Sequence, residues 1–192
     1  NAINVPSQFN NLTGDLTVTS TGSGSLVFNN TAGSKAYSLH GGYVQNGGTV
    51  DLASSSGSTT LDVEGRVSLL GGTLSETGSA GSSYLRFAGS ADQPFAVNSG
   101  HTTSNDVDFY VWSSATAVLT QNSNIDAATL MLEGMLNCST YVLSGQGLTM
   151  YGDAILQTGH PDGIAASAAS GCIQTTVRSY SAGSHYVYSN NS

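Results

Sequence analysis

The chain has 192 residues, which fits one domain, and 8% of them are charged, against roughly 25% in an ordinary soluble domain. Four Lys and Arg residues stand against twelve Asp and Glu residues, so the formal net charge is −8. This balance repels phosphate groups and argues against nucleic acid and anionic lipid surfaces as partners. The sequence contains no run of about 18 apolar residues, so we predict no membrane insertion.

Residues 1–36 contain two short segments in which apolar and polar residues alternate, LTV (16–18) and LVF (26–28). The segment TGSG (21–24) separates them. Alternation over a few residues is typical of a strand, and glycine with serine is typical of a turn. We therefore expect these residues to form the first coils of the array that follows.

Residues 37–157 repeat one short pattern, in which two apolar residues alternate with polar ones and a glycine closes the segment. The six copies begin at Tyr37, Leu61, Leu85, Val107, Leu130 and Leu148, so their spacings are 24, 24, 22, 23 and 18. The fourth copy is blurred, because Val111 stands where the glycine is expected. A second element keeps the same step, since NGGTV (46–50) recurs as LGGTL (70–74). A period in the low twenties indicates stacked structural units.

These periods predict an all-β fold, a right-handed parallel β-helix (β-solenoid) with coils of about 22–24 residues. The right hand follows from the strong preference of parallel strand connections. We expect residues 1–192 to form a single β-solenoid domain, with 1–36 as the first coils, 37–157 as regular coils and 158–192 as a terminal coil, cap or junction. We also expect the chain to be an excerpt of a longer one.

The pattern also predicts which side chains face the interior of the solenoid. The inward residues that we expect to stack from coil to coil are Leu61, Val63, Leu85, Phe87, Phe109, Leu130, Leu132, Leu148 and Met150. We expect the closing glycines to form corners by adopting positive φ, which glycine tolerates.

Aligning the six copies from their first residues places a set of polar and aromatic side chains together on the outward face. The predicted ligand-binding cluster is Asp62, Glu64, Arg66, Arg86, Asp108, Tyr110 and Trp112. In this alignment Asp62, Arg86 and Asp108 lie on successive strands, so their charges alternate in sign. Such a row is a cross-strand charge ladder, which stabilises a sheet and keeps it soluble without any ligand.

The same cluster also fits a face that binds or cleaves carbohydrate. Aromatic rings stack on sugar rings, arginines neutralise acidic sugars, and carboxylates bind Ca²⁺ or act as acid and base. No catalytic or metal-binding motif is present, so we assign no catalytic residue and no metal ligand. We predict no cofactor and leave Ca²⁺ open, since no specific motif supports it. The ladder, the binding face and the catalytic face remain alternatives.

The two cysteines, Cys138 and Cys172, are distant in the sequence and lack metal-type spacing. In an oxidising compartment they would form one disulfide, which would stabilise the fold by roughly 3–4 kcal/mol. Two small buried residues that never meet are the alternative.

The region from residue 130 onward is the most individual part of the sequence. It contains LMLEG (130–134), GI (163–164), GCIQTT (171–176), RSYS (178–181) and YVY (186–188). In this order the segments resemble the β-helical repeat regions of very large secreted, adhesin-like surface proteins of the Bacteroidetes. The resemblance is close only in this region, and the rest of the chain is similar only as a generic solenoid. It implies export by the type IX route and a role at the cell surface, and it implies no catalytic residues.

We therefore expect an extracellular structural and adhesive module that presents a polar face to glycans or other surfaces, located outside the cell or on its outer surface. End-to-end stacking with further repeats would extend it. The alternatives are a polysaccharide-active enzyme of the pectate-lyase-like type, a glycan-binding domain, and a passive stalk without a ligand.

Overall fold

A computed structural model describes residues 2–6, 9–79, 82–104 and 106–189. Three parts of the prediction include residues outside the described ranges. They are residues 1, 7 and 8 of the predicted first coils, residues 80, 81 and 105 of the predicted regular coils, and residues 190–192 of the predicted terminal coil. Across the described ranges, no helix combines the length and the apolar composition that a membrane span requires.

The described chain consists of short strands joined by turns. In chain order they are β1 (Ala2–Asn4), β2 (Asn11–Leu12), β3 (Leu16–Val18), β4 (Ser25–Asn29), β5 (Lys35–Leu39), β6 (Tyr43–Gln45), β7 (Thr49–Ala53), β8 (Thr59–Val63), β9 (Val67–Leu69), β10 (Gly72–Ser75), β11 (Ser83–Phe87), β12 (Asp92–Val97), β13 (His101–Thr103), β14 (Val107–Val111), β15 (Thr116–Leu119), β16 (Ser123–Asn124), β17 (Thr129–Leu132), β18 (Met135–Asn137), β19 (Leu143–Met150), β20 (Ile155–Thr158), β21 (Ile173–Ser179) and β22 (His185–Tyr188).

The strands form three sheets in which neighbouring strands are parallel. Sheet A has the order β1-β4-β7-β10-β13; sheet B has the order β16-β19-β17-β14-β11-β8-β5-β2, with β21 also paired to β19; sheet C has the order β22-β20-β18-β15-β12-β9-β6-β3. Through β15 the chain visits sheets A, B and C in turn, so each coil contributes one strand to each sheet. This architecture confirms the predicted all-β parallel β-helix, while its right hand stays a prediction.

The strand register fixes the length of each coil. On sheet B, Tyr37 pairs with Leu61, Leu61 with Leu85 and Leu85 with Phe109, so the residue number rises by 24 at each step. The later steps are shorter, because Phe109 pairs with Leu130 and Leu130 with Leu148. The early steps on sheet B therefore match the predicted length of about 22–24 residues, and the steps after Phe109 fall below it. The last step, from Leu148 to Arg178, exceeds it at 30 residues, and on sheet C the step from Val67 to Phe95 exceeds it at 28.

Apolar side chains fill the interior as columns that run from coil to coil. The nine residues predicted to face inward are all buried, each at most 2% exposed. Tyr37, Leu61 and Leu85 occupy one column on consecutive strands, and Leu39, Val63 and Phe87 occupy the neighbouring one. Burial of each such side chain stabilises the fold by roughly 1.5–3 kcal/mol before the entropy cost. Stacking in register is thus confirmed.

The fourth copy of the repeat pairs two residues away from its predicted position. Aligned by its first residue, Val107 would lie beside Leu85, but the structure pairs Leu85 with Phe109 and places Val107 beside Ser83. A shift by two residues keeps every side chain on the same face of a strand, so alternation alone cannot distinguish the two registers. The predicted outward alignment of this coil is therefore wrong by two positions.

Most of the glycines that close each copy of the repeat do not have the positive φ that we predicted for them. Positive φ occurs at seven described glycines, and of the closing glycines only Gly152 is one of them. Gly65 is required by close approach instead, because a Cβ there would lie 2.7 Å from the backbone of Gly41 and Gly42. Gly48 and Gly72, in the second repeated element, are the ones with positive φ, at 76° and 83°.

Sheet A ends at β13, and the interior there contains polar groups. His101 is 3% exposed; its Nδ1 lies 3.3 Å from the Gly71 carbonyl oxygen, while its Nε2 has no partner among the described residues. Burial lowers the pKa of His101, and the Gly71 carbonyl and the nearby Asp126 carboxylate oppose that shift. The neutral imidazole is therefore the form that the folded chain favours.

The last coil closes one of the apolar columns with a charged residue. Arg178 pairs with Leu148, and its guanidinium group donates hydrogen bonds to the carbonyl oxygens of Ala165 and Ala166 at 3.0 and 2.9 Å. These two residues belong to the segment between β20 and β21, which contains no strand. Arg178 thus ties this segment to the end of the array.

Replacing Gly65 by alanine tests the close approach at the corner. We expect Gly65→Ala to lower the free energy of unfolding by about 1–3 kcal/mol, because the new methyl group overlaps backbone atoms that cannot move freely. The measurement is urea denaturation followed by circular dichroism. Gly33→Ala is the matched control, since a Cβ at Gly33 meets no atom within 4 Å. Equal midpoints for the two variants would contradict this packing.

The buried imidazole predicts a pH dependence of stability. The unfolded chain protonates His101 near the ordinary histidine pKa of 6.5, whereas the folded chain does so only at lower pH. The unfolded state therefore binds more protons below that value, and stability falls as the pH drops. We expect the free energy of unfolding to decline more steeply between about pH 7 and about pH 5 in the wild type than in His101→Gln. Parallel pH profiles would rule out this role of His101.

Candidate functional site

Sheet B positions most of the predicted cluster on its outward face. Its central strands β8, β11 and β14 are adjacent and in register, so that Arg86 pairs with Asp62 on one side and with Tyr110 on the other. The neighbouring outward row contains Tyr84, which pairs with Thr60 and is half-buried. These rows lie on the outside because every second residue of the same strands fills the core.

Asp108 does not lie beside Arg86, and this corrects the predicted charge ladder. It pairs with Tyr84, is 8% exposed, and its carboxylate accepts a hydrogen bond from the backbone N–H of Thr129 at 2.9 Å. Burial raises the pKa of Asp108, and the hydrogen bond from Thr129 opposes that shift. Asp108 is therefore a buried structural carboxyl group, and only the Asp62–Arg86 half of the ladder exists.

Arg86 is held from two directions. Its Nε and Nη2 atoms donate to the two carboxylate oxygens of Asp62, both at 2.6 Å. Its guanidinium carbon lies 4.5 Å from the centroid of the Trp112 ring, in a cation–π arrangement. A bidentate carboxylate pair fixes the plane of a guanidinium group, so Asp62 orients Arg86, and Arg86 in turn supports Trp112.

Glu64 and Arg66 lie at the turn between β8 and β9, away from this arrangement. A Glu64 carboxylate oxygen lies 2.8 Å from His40 Nδ1, and an Arg66 guanidinium nitrogen lies 2.8 Å from an Asp15 carboxylate oxygen. Both pairs are well exposed to solvent. Such exposed pairs contribute little to stability, and they belong to the corner rather than to the outward face of sheet B.

Five described residues line a groove of about 320 Å³ on this face, which we call the aromatic groove: Thr60, Tyr84, Arg86, Tyr110 and Trp112. The ring centroids of Tyr84 and Tyr110 are 6.3 Å apart, and those of Tyr110 and Trp112 are 5.9 Å apart. Trp112 is 41% exposed. Three rings thus surround one open concavity. Tyr84 is absent from the predicted cluster, although its place immediately before the inward Leu85 marks it as an outward residue.

The chemistry of the aromatic groove suits binding. Burial and a hydrogen bond with Glu133 raise the pKa of Tyr110, so this phenol keeps its proton at neutral pH. Burial and the Asp108 charge raise the pKa of Tyr84 in the same direction. The groove therefore offers apolar ring surfaces together with hydroxyl and guanidinium groups that form hydrogen bonds, a combination common in small-molecule sites.

The described residues contain no group of three or more His, Cys, Asp or Glu side chains that could hold a metal ion. Cys138 and Cys172 are free thiols in the structure, and both are fully buried. They share a hydrogen bond that lowers the pKa of Cys172 and raises that of Cys138. The two thiols therefore influence each other's ionisation, and the disulfide between them stays a prediction.

A double-mutant cycle tests the contact between Arg86 and Asp62. The side chains are 28% and 18% exposed, so solvent screens their attraction only in part. We expect the substitutions Arg86→Gln and Asp62→Asn, singly and together, to give a coupling energy of about 1 kcal/mol in urea denaturation.

The pair of Arg66 and Asp15 is the matched control for that cycle. Its side chains are 53% and 44% exposed, so we expect Arg66→Gln and Asp15→Asn to couple by less than about 0.5 kcal/mol after solvent screening. A coupling at Arg86 no larger than at Arg66 would show that Asp62 does not hold the guanidinium group.

Comparison with known proteins adds no relative. The sequence matches no protein-family model, no curated protein and no solved structure. The functional conclusion therefore depends on the residues and the geometry of this chain.

Proposed function

We propose that this chain is an extracellular structural and adhesive module that binds glycans through the aromatic groove. The observation that carries the proposal is the convergence of Tyr84, Tyr110 and Trp112 around one open concavity on the outward face of sheet B. Sugar rings have apolar C–H faces and polar edges, and the groove provides aromatic surfaces beside hydrogen-bonding groups. A rigid sheet holds these groups in place, which limits the entropy cost of binding.

Binding explains the groove better than cleavage does. A glycoside hydrolase needs two carboxyl groups at the scissile bond, one of them with a raised pKa. Asp108 has a raised pKa, but it is buried and does not line the groove. None of the five described lining residues is a carboxylate, and Asp62 is occupied by Arg86. A polysaccharide-hydrolysing enzyme therefore has less support than a binding module.

The adhesive and extracellular parts of the proposal have separate support. The surface is polar but sparsely charged, which suits a secreted protein. The segments from residue 130 onward resemble those of adhesin-like surface proteins of the Bacteroidetes, and with that relationship we also propose type IX export. In such a protein the solenoid would be both spacer and contact surface, and further repeats stacked end to end would lengthen it.

Replacing the exposed ring of the groove tests this function. We expect the wild-type chain to be retained on a glycan array, and Trp112→Ala to weaken that retention at least about tenfold, because a central aromatic ring often dominates a binding surface. The affinity is then measured by titration calorimetry with the glycan that the array selects, with and without Ca²⁺.

Tyr186→Ala is the control for this experiment. Tyr186 lies on β22 in sheet C and is 43% exposed, close to the exposure of Trp112, so its loss removes a comparable ring from another surface. Equal weakening by both variants would mean that the groove is not the binding site. No retention on any glycan would favour the passive stalk, and turnover of a bound polysaccharide would favour the enzyme.

A further inference from the structure

A second concavity continues the aromatic groove along sheet B. Its volume is about 440 Å³, and its described lining residues are Ser113, Glu133, Tyr151, Gly152 and Asp153. Val111 pairs with Leu132, and Leu132 pairs with Met150. The residues that follow these three, Trp112, Glu133 and Tyr151, therefore occupy one outward row on consecutive coils.

Two links join this acidic subsite, as we call the second concavity, to the aromatic groove. Ser113 follows Trp112 directly in the chain, and each residue lines one of the two concavities. Tyr110, which lines the groove, pairs with Met131 on β17, and Glu133, which lines the acidic subsite, follows two residues later and acts on the pKa of Tyr110. The two concavities therefore share a wall, and a ligand that leaves one along the sheet enters the other.

The combined surface has the length of an oligosaccharide. Tyr84 lies on β11 and Tyr151 follows β19, and three strand-to-strand steps separate these strands. At about 4.8 Å per step, the two rings are about 14 Å apart along the stack of coils. A single sugar ring cannot span that distance, whereas a chain of several sugars can.

The charges along this path disfavour an acidic ligand. Glu133 and Asp153 line the acidic subsite, and neither takes part in an ion pair with the described residues. The cation of the groove, Arg86, is already compensated by Asp62. A uronic acid chain would meet uncompensated carboxylates without gaining a free cation, which costs binding free energy. The hydroxyl groups of a neutral sugar can instead donate hydrogen bonds to these carboxylates.

We infer that the glycan site spans both concavities and takes an extended neutral oligosaccharide, which crosses four coils from Tyr84 to Tyr151. This inference depends on the proposed function, because it names the ligand class and the extent of the same site. It assigns Glu133, Tyr151 and Asp153 to ligand contact, and none of these residues belongs to the cluster predicted from the sequence. It also replaces the expectation that an arginine selects acidic sugars.

The test is a series of oligosaccharides of increasing length. The probes are the disaccharide to the hexasaccharide of glucose, mannose, N-acetylglucosamine and galacturonic acid, each titrated calorimetrically against the full chain. We expect one neutral series to bind, with affinity that rises at least about fivefold from disaccharide to hexasaccharide, and to bind better than galacturonate of equal length.

Two variants locate the ends of the ligand. We expect Tyr151→Ala to weaken the affinity for the hexasaccharide at least about fivefold and to leave the affinity for the disaccharide unchanged. Trp112→Ala is expected to weaken both affinities. Tyr151 is 43% exposed, so its removal leaves folding intact, as circular dichroism verifies. We expect Asp153→Lys to raise the affinity for the galacturonate hexasaccharide at least about threefold.

The outcomes separate this inference from the proposed function. Neutral sugars that bind without dependence on length or on Tyr151 would leave the proposed function standing and overturn the extended site. Preference of the wild type for galacturonate would overturn the assigned ligand class. Absence of binding to every probe and every arrayed glycan would overturn the proposed function itself.

Discussion

The stacking of each coil on its neighbour determines everything else in this structure. A solenoid has no single globular core, so each coil is stabilised only by contacts with the coils beside it. The column that contains Leu61, Leu85 and Phe109 keeps the strands of sheet B in register. The same register brings Tyr84, Tyr110 and Trp112 together on the outside, although they come from different coils. The site therefore exists only because the interior columns are continuous.

The second organising feature is that three of the basic side chains bind acidic groups or backbone carbonyls of the chain itself. Only four of the 192 residues are Lys or Arg, and Arg86 and Arg66 each form an ion pair with an aspartate, while Arg178 bonds to backbone carbonyls. A basic side chain used in this way orients its surroundings rather than attracting a distant anion. Arg86 is an example, because Asp62 fixes the plane of its guanidinium group, and that group packs against the Trp112 ring. The geometry of the groove thus depends on a local network within the sheet.

The alternation of residues allowed the fold and the buried columns to be predicted, because both depend only on which side chains face inward. It could not determine the register of the fourth copy, because Val107, Phe109 and Val111 all face inward. A shift of two residues therefore leaves the alternation of apolar and polar residues unchanged. That slip placed Asp108 beside Arg86. Tyr84 was left out for a different reason, because the alignment of its copy begins one residue later, at Leu85. The sequence also could not show why residue 65 must be glycine, because the close approach between coils exists only in the assembled array. Asp62, Arg86, Tyr110 and Trp112 do lie together, whereas their role in ligand binding stays a prediction.

The parallel pairing of successive coils has a mechanical consequence. Backbone hydrogen bonds such as those between β20 and β22 point along the stack rather than across it. A force that pulls the two ends of the array apart therefore acts directly along these bonds and opens them one ladder at a time. Because each coil contacts only its neighbours, the array yields under tension by peeling coils from an end, and the remaining coils keep their shape.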